Sequence, residues 1–180
     1  MSISFIKLID YSLFPAIILV LGKLIGVFFI AALFSIKIEI INFSSAVFAF
    51  ETVVASADLP IVSSYSDLLT FIFMAFGFAI IIIKAVYFHD SHISFTTLNK
   101  LLKYNLLSIL KSSFELYHSG TVWLIFLWLA NLLILLNVIM QRTYLWILMI
   151  TVIFSVSLTV IYLRDLFKEV ELLKKKHFFI

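Results

Sequence analysis

The chain has 180 residues, of which 64% are apolar and 13% charged, and its mean hydropathy is +1.20. Soluble domains run near 45–50% apolar and about 25% charged, so a water-soluble domain and a disordered tail are both excluded and an integral membrane protein is implied. There is no cysteine, which excludes disulfides, thiolate metal sites, iron–sulfur ligation and a cysteine nucleophile; the net charge of +3 matters less than where it is placed.

A helix needs about 20 mostly apolar residues to cross a hydrocarbon core of roughly 30 Å. Four stretches qualify, over residues 12–34, 67–88, 121–140 and 143–163. Pro15 is expected in the first turn of the first span, where a missing N–H costs little. Ser66 or Asp67 is placed to cap the second. Only Gln141 and Arg142 separate the third and fourth, which therefore form a tight antiparallel helical hairpin. The expected fold is an all-α integral membrane protein, residues 1–180 forming a single membrane domain of four transmembrane helices. The first span is too long for the apolar core of a signal peptide, carries a lysine and lacks a small-x-small cleavage site, so it reads as a retained anchor.

The connections have their own patterns. Residues 35–65 form the loop after the first span. Ile36, Ile38 and Ile40 alternate there with Lys37 and Glu39, and Phe48 and Phe50 alternate with Ala49 and Glu51, with a turn-prone stretch at 42–45. This period of two predicts a small β-hairpin on the outer membrane face; a re-entrant or interfacial helix through 44–57 is the rival reading. Residues 97–117 show an amphipathic helical pattern, with Leu98, Leu102, Leu106 and Ile109 on one side and Lys100, Lys103 and Lys111 opposite. That predicts an interfacial helix with its lysines toward anionic headgroups, against the alternative of a helix packed on the bundle or on another subunit. The tail, 164–180, continues the last helix and carries Lys174, Lys175 and Lys176 next to the membrane, which suits a topology anchor or anionic lipid contact.

Lysine and arginine set the orientation. With both termini cytoplasmic, Lys7, Lys84, Lys100, Lys103, Lys111, Arg164, Lys168 and Lys174 to Lys176 lie inside, and only Lys37 and Arg142 lie outside. A bacterial or organellar inner membrane fits this asymmetry.

Lys23 stands out because it falls near the middle of the first span. A cation there must be paired, solvated or neutral. With Asp67 taken as a cap and Glu115 in the inner connection, no carboxylate is expected at matching depth. Asn131, Thr151 and Ser155 are the polar groups near the midplane, and Lys23, Asn131 and Ser155 are the candidate buried-charge or partner-contact residues. Gly22 and Gly26 flank Lys23 as G-x-x-x-G, and Ala75, Gly77 and Ala79 offer a small face on the second span; both sets suit close helix packing. Asn131 and Asn137 lie about 120° off a common helix face and are expected to have different partners. Thr151, Ser155 and Thr159 recur every four residues and are expected to bond back to the helix or to a neighbour.

His89, Asp90, His92 and His118 match no metal-ligand spacing, and no Walker loop, nucleophile elbow or zinc-protease helix is present. No cofactor, metal site, catalytic residue or nucleic-acid contact is expected. The partners expected are a bilayer with anionic headgroups and other membrane subunits or further copies of the chain. The leading functional expectation is a non-catalytic accessory or structural subunit of a larger membrane complex. The alternative is a small transporter or channel component with a midplane polar site around Lys23. An enzyme acting on lipid through His89, Asp90 and His118 ranks below both.

Overall fold

The computed structural model describes residues 2–42, 50–53, 55, 57–87, 103 and 113–178. Four long helices dominate: α1 (Ser2–Leu33), α2 (Leu59–Tyr87), α3 (Ser113–Ile139) and α4 (Leu145–Phe178). Each contains an apolar stretch long enough to cross a membrane: Ile9–Leu33, Leu59–Val86, Glu115–Ile139 and Leu145–Glu171. A multi-pass membrane protein follows. Two four-residue strands, β1 (Glu39–Asn42) and β2 (Phe50–Val53), pair antiparallel in the connection between α1 and α2, with Glu39 opposite Val53 and Asn42 opposite Phe50. The expected amphipathic segment at 97–117 lies mostly outside the described residues. So do Lys100, Lys111, His89, Asp90 and His92.

The helices run up, down, up and down, as their contacts require. Gly22 lies against Thr70 and Gly26 against Ser66, so α1 and α2 are antiparallel. Gly77 lies against Trp123 while Asp67 bonds Asn137, which makes α2 and α3 antiparallel too. Thr121 meets Tyr162 and Asn131 meets Ser155, giving the same relation between α3 and α4. α2 is the central helix and packs on the other three, while α1 also packs on α3. Its inward face supplies Phe71, Met74, Phe78, Ile82 and Ala85, which join Trp123, Leu127, Ile134, Ile147 and Tyr162 in one core. Lipid is as apolar as these side chains, so close packing and interhelical hydrogen bonds, rather than exclusion from water, hold such a bundle together.

Three boundaries differ from the sequence-based expectation. The second helix begins at Leu59, not at Asp67, and takes in Pro60, Ser63, Ser64 and Ser66. The carbonyl of Asp58 accepts from the N–H groups of Ile61 and Val62, which makes Asp58 the start, and Pro60 falls in the first turn, where it has no intrahelical bond to lose. Pro15 is not in a first turn: α1 has already run from Ser2, so the ring lies in the helix interior, where proline has no N–H to contribute to the helical ladder. The third helix begins at Ser113 instead of 121, while the last runs on to Phe178, as the pattern of its tail predicts.

Two helix ends share one device. At the end of α3, Arg142 N–H bonds to Asn137 C=O (2.8 Å) and Gln141 N–H to Val138 C=O (2.9 Å), with Gln141 at φ 58°. At the end of α1, Ile36 N–H bonds to Ala31 C=O (2.8 Å) and Ser35 N–H to Ala32 C=O (3.3 Å), with Ser35 at φ 55°. Both are Schellman caps, which use the last carbonyls and turn the chain sharply. The first of them aims Thr143 and Tyr144 back at α2.

Candidate functional site: an intramembrane ion pair tied to a helical turn

Lys23 has a counter-charge within its own chain. Its ammonium forms an ion pair with the Oδ1 of Asp67. The same nitrogen donates to Ser66 Oγ at 2.8 Å and to the Ser63 carbonyl at 3.2 Å, with Ser63 Oγ at 3.4 Å. An ammonium has three N–H donors, so these partners use all of them. The expectation that Lys23 finds no carboxylate is therefore corrected. Asp67 is not a cap: eight residues of helix precede it, a depth of about 12 Å along α2.

Asp67 is equally well satisfied. Its Oδ2 accepts from Asn137 Nδ2 at 2.9 Å and from Thr143 Oγ1 at 2.7 Å. The single hydroxyl proton of Thr143 goes to the carboxylate, so in the 3.2 Å contact between Thr143 and Ser63 the serine is the donor. Ser66 Oγ in turn donates to Ser63 C=O (2.9 Å), and Thr70 Oγ1 to Ser66 C=O (2.8 Å). One turn outward, Ser64 Oγ accepts the backbone N–H of Tyr144 at 2.9 Å. The network thus joins α1, α2, the end of α3 and the turn that opens α4. Because Thr143 lies in that turn, the pair sits toward one end of the α3–α4 hairpin rather than at its middle.

The glycines explain how the cation reaches the carboxylate. A Cβ on Gly26 would come within 3.1 Å of the Ser66 backbone, and one on Gly22 within 3.3 Å of the Thr70 methyl. α1 therefore lies directly on the Ser66–Thr70 edge of α2, and Lys23, between the two glycines, is carried to Asp67. The small face at Ala75, Gly77 and Ala79 is used differently. A Cβ on Gly77 would come within 2.2 Å of the Trp123 ring on α3, while Ala75 and Ala79 border an apolar cleft of about 400 Å³ between α2 and α4.

Asn131 and Ser155 do not join Lys23. Asn131 Nδ2 donates to Ser155 Oγ at 2.6 Å and to Leu127 C=O at 3.0 Å, all buried between α3 and α4. Asn137 serves Asp67 instead, so the two asparagines have separate partners. Thr151 Oγ1 bonds to Leu148 C=O and Thr159 Oγ1 to Ser155 C=O, both within their own helix. A further polar cluster lies at the opposite end of the bundle. Tyr162 OH donates to Tyr117 C=O (2.6 Å) and meets Thr121 Oγ1 (2.9 Å), and Tyr117 OH donates to Asp165 (2.8 Å). Lys103 is exposed, Lys174 to Lys176 lie in the last turns of α4, and the ring of His118 meets Tyr11 edge-on. No group of three or more metal-ligating side chains forms among the described residues.

Ser63, Ser66, Asp67, Asn137 and Thr143 were not among the expected site residues. The signal for the first three was present: residues 63, 66, 67 and 70 are spaced i, i+3, i+4 and i+7, which is one polar stripe on a helix. Beside the pair lies a pocket of about 270 Å³ between α1 and α3, with Lys23, Asp67, Thr70 and Asn137 at its polar end and leucines, Ala130, Ile134 and Met140 along its walls. No protein-family model, no curated protein and no solved structure matches this chain.

Proposed function

We propose that the chain is a non-catalytic structural or accessory subunit of a larger membrane assembly. The observation that carries this reading is the closure of its intramembrane charges on each other. Lys23 has no donor left over, and Asp67 accepts three hydrogen bonds, all within the chain. Charges used in this way set the register of four helices instead of waiting for a substrate, the best-attested role for buried ionic groups. The ground for a subunit is then the bundle itself, whose long helices bury only 22–33% of their most apolar stretches and present the rest outward.

In this reading both termini are cytoplasmic, β1 and β2 lie on the outer face, and residues 97–117 rest in the inner headgroup layer with Lys100, Lys103 and Lys111 toward anionic lipid. The test is purification from native membrane in mild detergent, with the mass and composition of the intact particle determined. A stoichiometric larger partner is the expected result. A monomer or a homo-oligomer alone overturns it.

A small transport component is the second reading, favoured by the pocket that reaches Lys23 and Asp67 within one chain. Thr70→Cys in this cysteine-free chain discriminates the two. Reaction with a membrane-impermeant thiol reagent requires a water path to the pair, and protection from both sides removes the transport reading.

A further inference from the structure

The pocket between α1 and α3 has a chemistry that the ion pair beside it does not determine. Asn137 presents its amide nitrogen to the Asp67 carboxylate, an acceptor-only partner, which fixes the amide orientation and turns Oδ1 away from Asp67. Among the described residues Asn137 makes no other side-chain hydrogen bond, so Oδ1 is an acceptor with unused capacity on a residue that lines the polar end of the pocket. Lys23 offers nothing to an anion, because Asp67 cancels its charge and the three N–H donors are taken. The Asp67 charge is likewise cancelled by Lys23 and leaves no net charge for a cation. The walls are apolar, and two wall residues, Leu133 and Leu136, are 40% and 43% exposed on the outward face of the apolar helix α3. The mouth therefore faces hydrocarbon.

We propose that this pocket binds a neutral single-chain amphiphile with a hydroxyl head, the hydroxyl donating to Asn137 Oδ1 and the chain running from there along Leu133, away from the Gln141–Arg142 turn, into the bilayer. Three features select this class: free acceptor capacity at Asn137, no free charge, and entry from the lipid side. The inference concerns a pocket within one chain and does not depend on the subunit reading.

The experiment uses the full chain in phosphatidylcholine liposomes with a diazirine-bearing hexadecanol as the probe. After photolysis, labelled residues are mapped by mass spectrometry, with unlabelled hexadecanol, hexadecanoate and hexadecane as competitors. Labelling is expected to concentrate on Leu133 and Leu136 and to be competed by hexadecanol about tenfold better than by hexadecane, the equivalent of one hydrogen bond. Asn137→Ala should abolish that difference, and Ala130→Phe, which fills the pocket, should abolish the labelling. Labelling spread evenly over the outward helix faces overturns the proposal, as does hexadecane competing equally. Hexadecanoate competing best would mean that Lys23 is available to an anion, and overturns the neutral class while leaving the pocket as a site. The competitor series on the unaltered chain decides the matter even if Asn137→Ala fails to fold.

Discussion

Lys23 and Asp67, 44 residues apart in the chain, meet as an ion pair whose every strong donor and acceptor is used by the protein itself. This closure makes the two residues unequal to the sum of their separate deletions. Lys23→Met leaves a carboxylate held by Asn137 and Thr143 with no counter-charge. Asp67→Leu leaves an ammonium with neutral partners only. Removing one member of a buried pair costs about 3–5 kcal/mol, and the lower end applies here because the Lys23 side chain is 36% exposed. The double variant Lys23→Met/Asp67→Leu should recover most of that loss. Thermal unfolding in mild detergent measures all three. A double variant as unstable as the worse single one would mean that the surrounding hydrogen bonds, not the charges, hold the site.

The glycines should rank by what their added methyl meets. At Gly77 the obstacle is the Trp123 ring, itself only 5% exposed and unable to swing aside. Gly77→Ala should cost about 2–3 kcal/mol, within the range for overpacking a filled site. Gly26→Ala meets the Ser66 backbone at 3.1 Å, so α1 must lift by a few tenths of an ångström and Lys23 with it. A loss of about 1 kcal/mol is expected there. Gly22→Ala meets a threonine methyl at 3.3 Å and should be close to neutral. Unfolding midpoints in one detergent check the order, and Gly22→Ala proving worse than Gly77→Ala would contradict the packing described.

The four spans were legible because a long apolar run in a chain of this composition has few other fates. The site was not, and the reasons are local. Ser63, Ser64 and Ser66 beside Pro60 look like loop, since polarity and proline both argue against helix. Here each hydroxyl has a partner from elsewhere in the fold or from its own turn: Lys23 and Thr143 for Ser63, Tyr144 for Ser64, Lys23 and a backbone carbonyl for Ser66. A helix that starts at Asp67 puts at its end the one carboxylate that, among the described residues, pairs with Lys23. Pairings such as 67 with 137 and 143 depend on which helix faces which, and periodicity along one segment carries no such information. The separation of Asn131 from Asn137 was legible, because it needs only the 3.6-residue turn.

The cap at Gln141 makes a separate prediction. Its φ of 58° is a left-handed conformation that glycine adopts freely and a β-branched residue resists. Gln141→Val should destabilise the chain by about 1–2 kcal/mol. The loss should also appear at the ion pair, because the turn delivers Thr143 to Asp67 and the Tyr144 N–H to Ser64. Adding Gln141→Val to Thr143→Ala should therefore cost less than the two changes separately. Full additivity would mean that the turn and the Asp67 network are independent.

Asn131 and Ser155 should behave in the opposite way from Lys23 and Asp67. Asn131 is 3% exposed, and its Oδ1 is buried with no hydrogen-bond partner among the described residues. The Nδ2 bond to Ser155 is thus offset by an acceptor left dry. Interhelical hydrogen bonds in membranes average about 0.6 kcal/mol, and replacing both partners of a buried pair by apolar groups is often neutral or stabilising. Asn131→Leu with Ser155→Ala should leave the unfolding midpoint unchanged or raise it. It should also leave the Lys23→Met penalty intact, since the two polar sites share no residue. A loss of several kcal/mol in the double variant would show that Asn131 Oδ1 has a partner in the membrane-bound protein, such as a trapped water or a neighbouring chain, and would place a second working polar site on the α3–α4 interface.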